Sequence, residues 1–525
     1  MFKTAYLFCL SIILFTAACS DSSEKSLPEN QVRTTSGIVE GTDGSRSGIR
    51  VFKGIPYAAP PVGGLRWKAP QPADPWEGVF KADHFGNRCI QFNPFPDMNF
   101  QSEAEKEDCL SLSVWTPASA PDDRLPVMVW IHGGGFFSGS GDEKRHDGET
   151  LAEKGVVLVH LNYRLGLLGF LAHPELTAES EHKSSGNYGL LDQIAALQWV
   201  KENIRAFGGD PENVTIFGES AGALSVTALM ASPLTNGLFQ KAIGESGGFF
   251  LETNVPMLSL TAAEARGKEL GKQLGRTSIA ELRAVDPQDL SKIQTDQSPS
   301  FAPIVDGYVL PAKPSEIFAS GRQQNVPLLA GWNSAEVGWL QPTTVVSFKK
   351  QLQQRFLSRY ESALKFYPAG NEREANRSAV RLASDDFMGY GTWKWIEVHS
   401  ATGNEPVYRY LFDQIRPTET GDPDPDVPGA AHATEIEYVF GTLDSLKLAW
   451  RDADRRVSDL MSTYWTNFAK TGDPSGQDLP QWPVYNRSKE RPVMRIKAEP
   501  IAESDTDRER YEFLDSIIDP TQERL

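Results

Sequence analysis

The chain has 525 residues, 40% of them hydrophobic and 23% charged, which is enough apolar material to bury a large core. Its formal net charge of −17 at pH 7 argues against a nucleic-acid partner, because phosphate binding depends on clustered Lys and Arg. The acidic surface is read as a source of solubility and identifies no substrate.

Lys3 precedes an apolar run from Ala5 to Phe15, too short to span a bilayer but suited to the hydrophobic region of a secretory signal peptide. The stretch TAAC, Thr16 to Cys19, resembles a bacterial lipobox with Thr16 where Leu is usual. Residues 1–18 are therefore expected to be removed. Cys19 becomes a lipidated N-terminus that attaches the protein to a membrane, or cleavage after Ala18 releases it unmodified. Either route predicts an exported protein: periplasmic, a cell-surface lipoprotein, or secreted. Residues 19–34 read as a flexible tether and residues 35–525 as one domain. Cys9 falls in the removed segment, so Cys89 and Cys109 remain as one candidate pair in an oxidising compartment; two buried free thiols are the other reading.

Further along, Pro126–Ile131 and Gly155–Leu161 are apolar, Val-rich runs of the kind found in strands buried on both faces. Apolar residues at Leu190, Ile194, Leu197, Ile204 and Phe207 have helical spacing, ending at Gly208 and Gly209. Asn213–Phe217 reads as a strand and Gly222–Met230 as a small-residue helix. Pro327–Gly331 and Val407–Phe412 add two strands. Val457, Leu460, Met461, Tyr464, Trp465 and Phe468 mark an amphipathic helix whose aromatics belong to the core. Such alternation predicts an α/β fold, a mostly parallel sheet flanked by helices, with ligands at the carboxyl ends of its strands.

Two segments carry G-x-S-x-G, the spacing of a nucleophile elbow: FGESAG around Ser220 and IGESGG around Ser246. Ser220 lies between a β-branched run and a stretch long enough for a helix. Ser246 leads into Gly247, Gly248 and, soon after, Pro256, which weaken any helix that would follow. Context therefore favours Ser220. In α/β-hydrolases the acid and then the histidine follow the serine, which leaves His399 and His432. His399 sits on an aromatic helix face, whereas His432 lies in the small-residue loop PGAAHATE and is the better base. Glu336, just past the PLLAG strand, is the best acid, with Asp413 and Asp306 as rivals. The glycines of HGGGF, His132 to Phe136, can bring backbone N–H groups close to a developing oxyanion together with that of Ala221.

With those residues in view, the chain resembles the type-B carboxylesterases, the family that includes cholinesterases and bacterial nitrobenzyl esterase-like enzymes. The resemblance runs from about residue 35 to 497 and includes FKGIPYAAPPVGGLRW from Phe52, EDCLSLSVW from Glu107, WIHGGGF from Trp130, LNYRLGLLGF from Leu161, GWNSAE from Gly331, HATEIEYVFG from His432 and WTNFAKTGDP from Trp465. It implies an α/β-hydrolase fold with large loop insertions, Ser220 as nucleophile, His432 as base and then acid, and Glu336 as the orienting carboxylate. Gly134, Gly135 and Ala221 would supply the oxyanion donors, and Cys89 and Cys109 would form the family's first disulfide. Ser246 corresponds to a supporting serine near the histidine, Glu435 to a nearby supporting acid, and Glu219 to the carboxylate beside the nucleophile. The loop between the cysteines has no tryptophan, the residue that choline-binding members place there to stack on quaternary ammonium. Phe92, Phe95 and Phe100 offer an apolar entrance instead.

The expected activity is hydrolysis of a small-molecule carboxylic ester through an acyl-enzyme, with no metal and no cofactor. DPDPD, Asp422 to Asp426, spaces carboxylates like a calcium loop but lacks that loop's glycine and glutamate. Amide or thioester hydrolysis on the same residues, and an inactive cell-surface binding protein, are the alternatives. Oligomeric state is not legible.

Overall fold

The computed structural model describes residues 27–251, 256–293, 301–423 and 427–518; the N-terminal apolar run, Cys19 and the end of the DPDPD loop lie outside them. Its main sheet has eleven strands. In chain order they are β1 (Thr42–Asp43), β2 (Arg50–Pro56), β3 (Ser111–Thr116), β4 (Leu125–Ile131), β5 (Val157–Leu161), β6 (Gly209–Glu219), β7 (Lys241–Glu245), β8 (Leu328–Asn333), β9 (Val407–Phe412), β10 (Pro492–Ile496) and β11 (Ile501–Ser504). Across the sheet the order is β11-β10-β9-β8-β7-β6-β4-β5-β3-β2-β1. The block from β5 to β10 is parallel, and antiparallel strands finish both edges.

Alternation along β4 explains why the sheet is covered on both faces. Val127, Val129 and Ile131 join a core that includes Leu190, Ile194, Leu197 and Val200 of helix α1 (Tyr188–Asn203) and Leu224, Val226 and Leu229 of α2 (Ala221–Ala231). Met128 and Trp130 face the other way and pack with Val457, Met461, Tyr464, Trp465 and Phe468 of α4 (Asp452–Thr471). Helix α3 (Tyr390–Thr402) contributes Trp393, Trp395 and Ile396 to the first of these cores.

Boundaries differ from the sequence reading in two instructive places. The helix expected to reach Phe207 stops at Asn203 and tightens into a 3-10 turn, Ile204–Phe207, closed by Gly208 at φ 80°. Residues 31–34, assigned to the tether, are instead a strand, Gln31–Thr34, paired antiparallel with Gly37–Glu40. Val32 and Thr34 point inward while Arg33 is exposed, and that alternation is what docks the segment.

Chain order reverses around β4: β5 lies on one side of it and β6 on the other. The carboxyl ends of β4 and β6 thus flank a topological switch point, where open α/β sheets bind ligands.

Candidate active site

β6 ends at Glu219, and Ser220 turns the chain directly into α2 at φ 55° and ψ −121°, a conformation costly for a non-glycine residue. Small neighbours make the turn possible. A Cβ on Gly222 would lie 2.0 Å from the Ile131 carbonyl oxygen, and one on Gly218 would lie 2.6 Å from the same atom. Ser246 occupies the equivalent turn after β7, at φ 52°. Pairing of Gly218 with Gly244 and of Glu219 with Glu245 puts the two G-E-S motifs side by side, in register.

What separates the serines is the partner of each hydroxyl. Ser220 Oγ lies 2.9 Å from His432 Nε2, and His432 Nδ1 lies 2.6 Å from Glu336 Oε2. Ser246 Oγ donates to Glu336 Oε1 at 2.7 Å. The second elbow therefore reaches the carboxylate and not the imidazole. Glu336 is fully buried and its Oε1 also accepts from the Asn333 N–H at 2.7 Å, so both oxygens are held in place.

Loops at the carboxyl ends of β8 and β9 carry the other two side chains. Glu336 lies three residues beyond β8. His432 sits in the loop before the helical turn Ile436–Phe440, and its backbone N–H donates to the Glu336 carbonyl at 3.2 Å. Asn333 clamps the same loop, its amide donating to the Ala431 carbonyl at 2.7 Å and to Glu435 Oε2 at 2.5 Å. On the solvent side the Phe387 ring meets the imidazole edge to face, with centroids 4.9 Å apart. Sequence reading missed Asn333 and Phe387. Asn333 lies within the GWNSAE motif, but no local signal shows its amide crossing to residues 431 and 435.

Electrostatically the site is crowded with carboxylates. Burial by itself would lower the His432 pKa, but Glu219 and Glu336 face its ring from Nε2 and Nδ1 and raise it. Glu219 Oε1 lies 3.2 Å from Nε2, close enough for charge attraction yet not aligned for a hydrogen bond. Burial, then repulsion from Glu435 and Glu336, pushes Glu219 upward. A proton on the imidazole or on Glu219 therefore changes the field on the other.

Beyond β4, Gly134 and Gly135 adopt φ 98° and 64°, and Cβ atoms there would lie 2.2 Å from the Ser138 carbonyl oxygen and 2.5 Å from the Phe137 ring. Gly133 abuts Ser220, its would-be Cβ 3.2 Å from the serine Cβ. Among the described residues, the N–H groups of Gly134, Gly135 and Ala221 have no backbone acceptor; Ala221 is the first residue of α2, where such groups are left over.

Cys89 and Cys109 are disulfide-bonded. Of the three phenylalanines in the loop they close, Phe95 stacks on Phe137 beside the HGGGF turn at 5.8 Å, while Phe100 lies under Arg88. The rival acids are elsewhere: Asp413 pairs with Arg495 at 3.1 Å, and Asp306 caps a turn, accepting from Ser184 and the Tyr308 and Leu310 N–H groups. His399 is buried on α3, with Nε2 2.9 Å from the Val326 carbonyl oxygen.

Residues 28–514 match the carboxylesterase family. The chain is 36% identical over 498 residues to the fumonisin B1 esterase of Sphingopyxis macrogoltabida, covering 91% of this chain and 88% of that protein. It is 38% identical over 501 residues to the para-nitrobenzyl esterase of Bacillus subtilis, covering 92% and 98%. A solved PNB esterase structure superposes with a TM-score of 0.78 at 35% identity, covering 92% of this chain and 99% of that one.

Proposed function

The chain belongs to the carboxylesterase family and is a carboxylic ester hydrolase, and we propose that it acts through a covalent acyl-enzyme on Ser220. His432 Nε2 takes the Ser220 proton as Oγ attacks the ester carbonyl. Glu336 fixes the ring so that Nδ1 keeps its proton and stabilises the imidazolium that forms. Backbone N–H groups of Gly134, Gly135 and Ala221 receive the oxyanion. His432 then returns its proton to the departing alkoxide, and water, activated by the same nitrogen, releases the acid. Ser246, Glu219 and Glu435 support the acid and the imidazole without bonding to substrate.

The observation that carries this reading is the continuous pair of contacts from Ser220 Oγ through His432 to Glu336, at 2.9 and 2.6 Å. Its test is a panel of aryl esters, with a para-nitrobenzyl ester and fumonisin B1 added because relatives are named for them, run on wild type and Ser220→Ala. Turnover that survives in Ser220→Ala would defeat the assignment. Export, with lipid on Cys19, is likewise our proposal, supported by the apolar run and TAAC sequence alone; intact mass of the mature N-terminus decides it.

A further inference from the structure

The peptide that follows His432 is strained and gripped from outside the catalytic residues. Ala433 sits at φ 60°, in the left-handed region that is costly for a residue with a Cβ. Phe136, Ser220 and Ser246 share a positive φ, and such strain persists only where the surroundings impose it. At Ala433 the restraint comes from Arg416, whose Nη2 donates to the Ala433 carbonyl oxygen at 3.1 Å. Among the described residues, no other hydrogen bond reaches the Ala433 backbone.

Arg416, just beyond β9, is itself fixed. The nitrogen that reaches Ala433 also donates to Glu437 Oε2. Glu437 is completely buried on the helical turn Ile436–Phe440. Its other oxygen lies 3.7 Å from Arg145 Nη1, so the carboxylate does not depend on Arg416 alone for an opposite charge. A hydrogen bond from a charged donor is stronger than one between neutral groups, which suits Arg416 to holding a turn that resists. His432 is thereby gripped on both sides: the Ala431 carbonyl accepts from the Asn333 amide at 2.7 Å, and the Ala433 carbonyl accepts from the guanidinium. Between those grips the imidazole has to meet Ser220 Oγ at 2.9 Å and Glu336 Oε2 at 2.6 Å at once.

We propose that Arg416 is a positioning residue for the ester reaction: it holds the Ala433 carbonyl so that the chain keeps its left-handed turn and the imidazole stays aligned with both partners. Without that bond the turn relaxes toward negative φ, the rotation passes into the adjoining residue, and the ring leaves its place between hydroxyl and carboxylate. The loss falls on the chemical step and not on substrate binding. This inference rests on His432 being the base of the ester reaction.

The test is steady-state hydrolysis of an aryl ester by wild type, Arg416→Met, Ala433→Gly and the Arg416→Met/Ala433→Gly double variant. In each, kcat is expressed per equivalent of a serine-directed organophosphate bound at completion. Arg416→Met should lower kcat by about 10–100-fold, since misplacing a reacting group by about 1 Å costs on the order of a hundredfold, and should leave KM nearly unchanged. Glycine adopts positive φ without penalty, so adding Ala433→Gly to Arg416→Met should raise kcat by about tenfold, the equivalent of the left-handed cost. A merely structural role, balancing the charge of Glu437, would lower the melting temperature, leave kcat per labelled site unchanged, and give Ala433→Gly nothing to restore. If Arg416→Met does not fold, Arg416→Met/Glu437→Gln, which leaves no carboxylate unpaired there, takes its place with the same expectations. Folded enzyme lacking Arg416 with the kcat of wild type overturns the inference, as does a lowered kcat that Ala433→Gly does not raise. Wild type that hydrolyses no ester would instead overturn the reading on which the inference rests.

Discussion

Ser246→Ala is the substitution that asks most of this structure, because Ser246 shares its motif, its backbone turn and its strand level with Ser220. Among the described residues its hydroxyl makes one bond, 2.7 Å to Glu336 Oε1, and that oxygen retains the Asn333 N–H at the same distance. A buried hydrogen bond to a charged group contributes about 1.5–3 kcal/mol. Most of this is present both before and during attack, so it should appear chiefly as lost fold stability. At about 1.4 kcal/mol per tenfold, even the whole bond caps the loss of kcat/KM at roughly 10–100-fold. Ser220→Ala removes the attacking atom, and losses on the order of 10⁶ in kcat accompany such deletions in serine hydrolases. The assay pairs steady-state hydrolysis of an aryl ester with stoichiometric labelling by a serine-directed organophosphate. Ser246→Ala should melt earlier, turn over slowly, and still take up one equivalent of label; Ser220→Ala should take up none. Label on the peptide containing Ser246, or a Ser246→Ala enzyme as inert as Ser220→Ala, would refute the reasoning.

Glu219→Gln should move the acid limb of kcat/KM to lower pH. The imidazole must be neutral to act as base, the Glu219 carboxylate favours its charged form, and removing that anion lets the neutral ring persist further into acid. Gly331→Ala should destabilise the fold severely, read as a lower urea midpoint, because its Cβ would lie 2.4 Å from both the Tyr410 ring and the Tyr410 carbonyl oxygen, and a backbone atom cannot rotate away. Replacing Cys89 and Cys109 by serine should cost about 3 kcal/mol of stability on the chain-entropy account, for a closed loop with a sequence separation of 20. Denaturant unfolding with and without reductant checks it.

Much of the fold is legible in one dimension because it is locally encoded. Val and Ile runs of strand length, helical spacing from Leu190, and glycines two positions either side of Ser220 each describe a short segment, and the structure joins the strands in one mostly parallel sheet with the helices packed on its faces. His432 and Glu336 were reachable because chain order left few candidates and both follow strands. Edges were less legible: nothing in Gln31–Thr34 announces a strand until Gly37–Glu40 lies beside it.

Relations across the sheet belong to tertiary structure alone. FGESAG and IGESGG are nearly the same word, and only the register of β6 against β7, with Glu336 arriving 90 residues after Ser246, sends one hydroxyl to an imidazole and the other to a carboxylate. Asn333 bridging to Glu435 and Tyr410 lying over Gly331 are of the same kind. Hydrophobic period and turn chemistry act between neighbours in the chain. The contact between Ser220 and His432, 212 residues apart, exists only once β6 through β9 have been laid side by side and their loops share one edge.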